Sequence, residues 1–453
     1  MKKITSKGKL LLYGMSALGF NMMNLVIGSY LCDALMVEGF DVNVESWTYA
    51  NKTLIVAGLW SVFILISKVL DGVIDIPMAA WTDKLKSRWG RRRPAILVGM
   101  VLTIVAYLAF LVIPSNAEHS MGNTIYFGIM LVLFYSSYTL TLVAYYATFS
   151  EIVDNEKDRL RLSNYKTVFD VVYFVLGYAL IPALVGAMNI RVIALLFAPL
   201  ALTMLIPLFM IKERSTLDQD QEPAEKGAGE EEQTVGMVQS VRYLLGNRAF
   251  LMWMLVYSAL QFGLQLFLTG QNVFYSSVMK FSGLQITLVM AFAFAPVPLT
   301  LMLYTYIVKK RGLITGYRYS LVLYLLSMAT MMLCRADWIQ SDVIRVSLAI
   351  VGAILSAFGT GCFFSINYTI PSAIADKERR EKGISHPAMF FAVQGLIGGI
   401  ATGISTGIIW VNLKDYQDGA IVWLMPVIVI AGGLVSYALT YLLPKDIRFL
   451  GKE

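Results

Sequence analysis

The chain has 453 residues, with 37 Lys and Arg against 30 Asp and Glu, a formal balance of +7 and a mean hydropathy of +0.65. Hydrophobic residues make up 57% of it and charged residues only 15%, whereas a soluble domain carries about 25% charged residues. The polar surface needed to coat a water-soluble globule of this size is missing. Disordered, collagen-like and disulfide-framework classes fall on the same numbers, which leaves a polytopic membrane protein.

A helix needs roughly 20 mostly apolar residues to cross a ~30 Å hydrocarbon core. Twelve such runs occur, at about 10–37, 54–81, 95–114, 124–149, 166–188, 191–211, 248–276, 284–308, 315–334, 343–371, 388–411 and 420–443. The runs are continuous and do not alternate, which excludes a barrel and predicts helices, because each segment must satisfy its own backbone. The first run follows a short basic stretch ending at Lys9 and is too long for a signal core. It carries Asn21 and Asn24 on one face, and Asp33 late enough to be expected in solvent.

The second run reads Ser67-Lys68-Val-Leu-Asp71-Gly-Val-Ile-Asp75-Ile-Pro77. Asp71 and Asp75 lie four apart on one helical face, and Lys68, three before Asp71, shares it. Central charges cost about 2.5–3.5 kcal/mol each on insertion scales, and two adjacent carboxylates repel unless a cation lies between them. Lys68 can neutralise one and leaves the other. The pattern suits a coupling site for a sodium ion or a proton; an ion-paired trio holding neighbouring helices is the alternative. Gly72 and Pro77 permit local bending.

The following loop, Asp83-Lys-Leu-Lys-Ser-Arg-Trp-Gly90-Arg91-Arg92-Arg93, can pair with acidic groups and helix ends and lock one face of the protein, besides anchoring it. The fourth run contributes Tyr138, Tyr145 and Tyr146. Asp170, one turn beyond Lys166 at the start of the fifth run, is expected to pair locally or with the basic loops. Further amides and aromatics that could face a solute are Gln261, Gln265 and Gln271 in the seventh run, Asn367 and Tyr368 in the tenth, and Gln394 in the eleventh. Interhelical hydrogen bonding is an equal alternative for each of them. Gly395, Gly398, Gly399, Gly403 and Gly407 form a close-packing face, without the Lys-Ser/Thr ending of a phosphate loop. Trp81, Trp89 and Trp253 are expected as interfacial anchors. Cys32, Cys334 and Cys362 are expected as buried free thiols. His119 and His386 fall in loops and build no metal or catalytic cluster. Nothing here points to an enzyme, a cofactor or a nucleic-acid partner.

Of the 37 basic residues, 30 lie at the N-terminus, in the even-numbered loops or at the C-terminus, which predicts cytoplasmic termini. The acidic stretch 212–236 separates six runs from six, predicting bundles over 1–211 and 248–453 joined by a linker at 212–247. At a constant offset of 222, Ser150, Ile152, Asp154 and Glu156 match Ser372, Ile374, Asp376 and Glu378; Ser163, Phe169 and Gly177 match Ser385, Phe391 and Gly399, and Gly90 meets Gly312. Parallel six-helix repeats are an alternating-access transporter architecture.

Asp71-x-x-x-Asp75-x-Pro77 followed by Asp83…Ser87-Arg-Trp-Gly90-Arg-Arg-Arg-Pro94-x-Ile-Leu-x-Gly99 resembles the glycoside–pentoside–hexuronide:cation symporters of the major facilitator superfamily. The match is dense over 65–100, with echoes at Tyr13-Gly14…Gly19 and Tyr138-Thr139. The resemblance implies a major facilitator fold of twelve transmembrane helices in two pseudo-symmetric bundles. It implies a multi-pass protein of the bacterial inner membrane that works as a monomer in the lipid bilayer and carries a small glycoside-like solute.

It also implies a cation site at Asp71 and Asp75, which would hold the ion if it is sodium, with Thr139 as a further ligand and Lys68 where the family has an Arg. A cytoplasmic gate is expected to involve Asp83, Gly90, Arg91, Arg92, Asp154, Asp170 and Asp376. The chain departs from the family at Ile74, where an Asn is usual. It also departs at Asn21 and Leu142, where sugar-binding acids occur. These departures favour a proton more than in close relatives and keep open a lipid-like or anionic organic solute; a non-transporting membrane receptor is the other alternative.

Overall fold

The computed structural model describes residues 3–4, 6–83, 85–153, 156–213, 215, 246–382 and 387–444. Among these residues there is no strand, and eleven helices are long and apolar enough to cross a membrane. In chain order the first six are α1 (Lys7–Ala34), α2 (Ala57–Asp83), α3 (Arg92–Phe110), α4 (Met121–Ile152), α5 (Glu156–Val175, continued by Leu176–Leu180 and Ile181–Val185) and α6 (Ile190–Met210). The next two are α7 (Arg248–Ser277) and α8 (Gly283–Arg311).

The helix α9 (Leu313–Leu333) spans 21 residues but is less apolar, because Arg318, three tyrosines and Gly316 interrupt it. It sits between α8, α10 (Asp342–Lys382) and α12 (Val422–Leu442), where Arg318 reaches Thr440 and lies over the Tyr441 ring. With α11 (Val393–Gly419) this completes the twelve expected helices.

Several spans depart from regular helix where the sequence dictates it. Pro296 breaks α8 between Phe294 and Val297, and a 3-10 segment surrounds Pro199 in α6. Wide π turns occupy Ile27–Leu31 in α1, Leu176–Leu180 in α5 and Gly403–Trp410 in α11. Such turns often accompany functional sites. Under the 222-residue offset the turn of α5 maps to 398–402, immediately before that of α11. Gly90 and Gly312, also repeat mates, have φ of 88° and 89°, a left-handed conformation that glycine adopts without steric cost.

The halves meet along α2 and α11, as the glycine pattern requires. A methyl group on Gly72 would lie 2.8 Å from the Gly395 carbonyl oxygen, one on Gly399 2.6 Å from that of Lys68, and one on Gly407 2.8 Å from that of Ser61. Small residues here let the two backbones touch. At the end carrying the odd-numbered loops, more contacts join the halves. Thr287 donates to the Ala179 carbonyl at 2.8 Å, Lys280 pairs with Asp41 at 3.0 Å, and the Gly39 amide donates to the Asp418 carbonyl at 3.4 Å.

Three expectations are corrected. Trp253 is fully buried and donates to Gln394 Oε1 at 2.9 Å, so it packs the interior of the second half, whereas Trp81 and Trp89 are exposed. Asp33 is buried and bonded across the halves, not solvated. Lys68 donates to Tyr135 and, among the described residues, forms no ion pair with Asp71 within 4.0 Å. The three cysteines are buried free thiols.

Candidate functional site

The centre of the protein holds a cavity of about 250 Å³ between α1, α2, α4, α5, α7 and α11. That is just below the roughly 300–1,000 Å³ of ligand cavities, and suits a small solute. Its polar wall includes Asn21, Asn24 and Ser29 from α1, Gln265 and Thr269 from α7, and Thr402 and Thr406 from α11. Tyr135, Tyr173, Tyr178, Phe174 and Trp410 add aromatic surface. Its two charged residues are Lys68 and Asp33. Rings flanked by amides and hydroxyls give hydrogen bonds at the edges of a solute and dispersion contact on its face.

On the α2 side, Lys68 Nζ donates to Tyr135 Oη at 2.7 Å and lies 4.0 Å from the centre of the same ring. One turn further, Asp71 Oδ1 accepts from Thr139 Oγ1 at 2.6 Å, so α4 holds one face of that carboxylate. Asp75, another turn on, is exposed. The face thus runs from an ammonium bordering the cavity, through a hydroxyl-braced carboxylate, to one reachable by water. Asp71 and Thr139 supply adjacent oxygens for a hard cation, and either carboxylate can take a proton.

A second network joins α1, α4 and α5. Tyr138 Oη donates to Asn21 Oδ1 at 3.0 Å and accepts from Asn24 Nδ2 at 3.4 Å; Asn21 Nδ2 donates to Asp170 Oδ1 at 3.2 Å. Lys166 Nζ bonds Asp170 Oδ2 at 2.5 Å. Asp170 therefore pairs locally, as its spacing suggests, and also fixes the amide that borders the cavity.

The other expected solute residues scatter. Tyr145 is buried and donates to the Tyr13 carbonyl at 2.5 Å, while Tyr146 packs on Tyr145 and Phe149. Gln394 accepts from Trp253 and donates to the Asn367 carbonyl at 2.8 Å, which binds α7, α10 and α11 together away from the cavity. Gln261, Tyr138 and Asn367 do not border it either. Gly90 and Arg92 lie against Glu213 at the end of α6: the Arg92 amide, at the N-terminus of α3, donates to Glu213 Oε2 at 2.9 Å, where a carboxylate is favoured. Arg92 Nη1 reaches Thr82 Oγ1 at 3.3 Å, and Arg91 is partly buried. Asp154 and His386 lie outside the described residues, as do the side chains of Asp83, Tyr368 and Asp376 and most of 212–247.

Inspection of the sequence placed Asp33 in solvent and did not single out Ser29, Thr269, Thr402, Thr406, Tyr178 or Trp410, all of which border the cavity. Trp410 Nε1 donates to Asp33 Oδ1 at 2.7 Å, and Lys414 Nζ lies 2.8 Å from the Asp33 carbonyl oxygen and 3.7 Å from Oδ1. The only available signal was one lone acid and one lone base at the ends of the first and eleventh runs.

Comparisons with known proteins agree with this architecture. The sequence profile of MFS/sugar transport proteins matches residues 12–440. An uncharacterized symporter of Synechocystis sp. is 30% identical over 119 residues, 25% of this chain and 22% of that protein. The Escherichia coli (strain K12) inner membrane symporter YicJ is 31% identical over 122 residues, 26% of each chain. The putative glycoside/cation symporter YagG of the same organism is 30% identical over 122 residues, 27% of this chain and 26% of that one. The chain thus matches about a quarter of the length of these relatives.

Among solved structures, the nucleoside transporter NupG superposes with a TM-score of 0.64 at 14% identity, covering 96% of this chain and 98% of that one. A bacterial homologue of the iron transporter ferroportin, in an inward-facing state, gives 0.59 at 14%, with 96% and 98% covered. These two likenesses concern the fold alone. The fold is that of major facilitator transporters, the relatives are symporters, and the chain belongs to the MFS/sugar transport protein family.

Proposed function

We propose that the chain is a secondary active symporter that moves a glycoside or related sugar derivative together with a sodium ion or a proton by alternating access. The observation that carries this reading is the α2 face: Asp71 braced by Thr139, and Asp75 exposed one turn away, on the same helix as a lysine that borders the central cavity. Cation binding would remove the repulsion between the carboxylates and raise solute affinity, and linkage requires the reciprocal effect. Six-helix halves, 1–211 and 248–453, would rock about the cavity, with both termini cytoplasmic in the inner membrane and one copy sufficient.

Uptake of radiolabelled glycosides into proteoliposomes under an imposed sodium or proton gradient tests the reading. Coupled uptake that is undiminished in Asp71→Ala plus Asp75→Ala would defeat it. A second reading, an anionic organic solute, is favoured by Lys68, an ammonium on the cavity wall with no carboxylate within 4.0 Å among the described residues. Uronides beside their neutral parent sugars in the same assay separate the two.

A further inference from the structure

From Gln233 through Ala336 the chain contains no Asp or Glu, yet α8 closes on Lys309, Lys310 and Arg311. Gly312, at φ 89°, then turns the backbone at once into α9. The two helices touch on their inner side, where a methyl group on Gly316 would lie 3.0 Å from the Tyr304 ring and from the Val308 side chain. On their outer side they part around a groove of about 540 Å³. Leu299 and Met302 precede Tyr306 of this groove at helical spacing, and Leu326 follows Val322. All three are more than half exposed, so the groove opens onto the apolar, lipid-facing surface and not onto the central cavity.

The groove is polar at one end. Its mouth carries Lys310 and Arg311 with Tyr306 and Tyr319, and Ile307, Val322 and Leu323 line the rest. Lys310 Nζ lies 4.5 Å from the centre of the Tyr306 ring and Arg311 Cζ 5.7 Å from that of Tyr319, so each cation is kept at the groove by a ring that shares it. Arg311 Nη1 also donates to Tyr319 Oη at 2.5 Å, which leaves the phenol proton for another acceptor. Among the described residues neither cation has a carboxylate within 4.0 Å. The equivalent turn of the first half differs, because Glu213 lies against Gly90, the repeat mate of Gly312. Val322 stands about 13 Å along the helix axis from Leu313 at the start of α9, so the apolar part reaches well into the hydrocarbon.

We propose that this groove binds a phospholipid of net negative charge. Lys310, Arg311 and the Tyr319 hydroxyl take the phosphate, and an acyl chain lies along Ile307, Val322 and Leu323. A zwitterionic headgroup brings its own ammonium and would leave the two cations unmatched; a soluble anion would leave the apolar part bare. Basic pockets between spans, at the ends where Lys and Arg collect, suit anionic headgroups. The site is separate from the transport reading, and only its leaflet, the cytoplasmic one, follows from the proposed orientation.

The test titrates full-length, detergent-purified protein with dioleoyl phosphatidylglycerol or with dioleoyl phosphatidylcholine and reads the first bound lipid by native mass spectrometry. Lys310→Gln plus Arg311→Gln removes the charges. Val322→Trp keeps them and puts an indole into the apolar part. Lys7→Gln plus Lys9→Gln removes two exposed charges near the N-terminus as a control. Wild type should bind phosphatidylglycerol on the order of tenfold tighter than phosphatidylcholine. That preference should vanish in the Lys310 and Arg311 double variant and persist in the control, and Val322→Trp should weaken binding of phosphatidylglycerol several-fold. Equal binding of the two lipids by wild type, or the same loss in the control, would reduce the cluster to a diffuse charge at the membrane surface and overturn the proposal. Unchanged binding in Val322→Trp would overturn it as well, as would displacement of the lipid by an equimolar amount of glycerol phosphate, which would make the occupant a free phosphate ester. The readout is binding alone, so the outcome does not depend on any uptake assay.

Discussion

The acids of α1 and α2 meet the same problem in opposite ways. Asp33 is enclosed, held by an indole and a lysine from the other half of the protein. Asp71 and Asp75 have no such clamp: one leans on a threonine hydroxyl of its own half and the other is exposed. A carboxylate bound across the halves stabilises one arrangement of them. A pair with no cation from the other half among the described residues, one member of it exposed, is open to an ion that comes and goes. Membrane burial alone therefore does not assign a function to a charge; the partner and the element that supplies it do.

The contrast is broken most severely at Lys414. Lys414→Met should strip Asp33 of its buried cation and lower stability by about 3–5 kcal/mol, measured as the midpoint of thermal unfolding in detergent; a midpoint within error of wild type would show that the pair is not what holds this end. Asp71→Asn and Asp75→Asn should leave the fold intact and abolish the ion's enhancement of solute affinity, of order 5–150-fold for coupled sites, read by binding with and without sodium and at two pH values.

Gly399→Ala places a methyl 2.6 Å from the Lys68 carbonyl oxygen and should cost about 1–3 kcal/mol of overpacking, again in thermal unfolding. Thr139→Ala removes the brace on Asp71 and should cost roughly 1.5–3 kcal/mol if that carboxylate is charged, with Thr139→Ser restoring it. The smallest effect belongs to the half-exposed Lys280–Asp41 pair: Lys280→Ala should change stability by less than about 1 kcal/mol, and a loss as large as that of Lys414→Met would erase the distinction between buried and surface contacts.

Much of the fold was legible because lipid imposes a simple rule: every span needs its apolar length, and the basic residues accumulate in alternate loops. Even α9, whose Arg318 and tyrosines weaken its hydropathy, was readable as an apolar run at 315–334. The Gly395–Gly407 stripe announced backbone contact, though not that α2 was its partner. The site was only partly readable. Asp71 with Thr139 followed from a family motif, and Asn21, Asn24 and Gln265 from being amides inside a span.

Asp33 with Trp410 and Lys414 did not follow, since residues 377 and 381 positions apart leave no periodic trace. Gln394 and Tyr145 looked equally suited to a solute, yet their hydrogen bonds are spent on Trp253 and Tyr13. Composition identifies a polar atom; it does not identify which neighbour has already satisfied it.

The glycines facing each other on α2 and α11 have a mechanical consequence. Where Gly72 meets Gly395 and Gly399 meets Lys68, the surfaces in contact are main chain on main chain, with no side-chain knobs to lift over one another. Such a seam behaves as a plain bearing. At these two points a tilt of one half against the other, as the proposed transport cycle requires, would meet no side chain that must change rotamer, whereas further along the stripe Gly403 faces the Leu65 side chain.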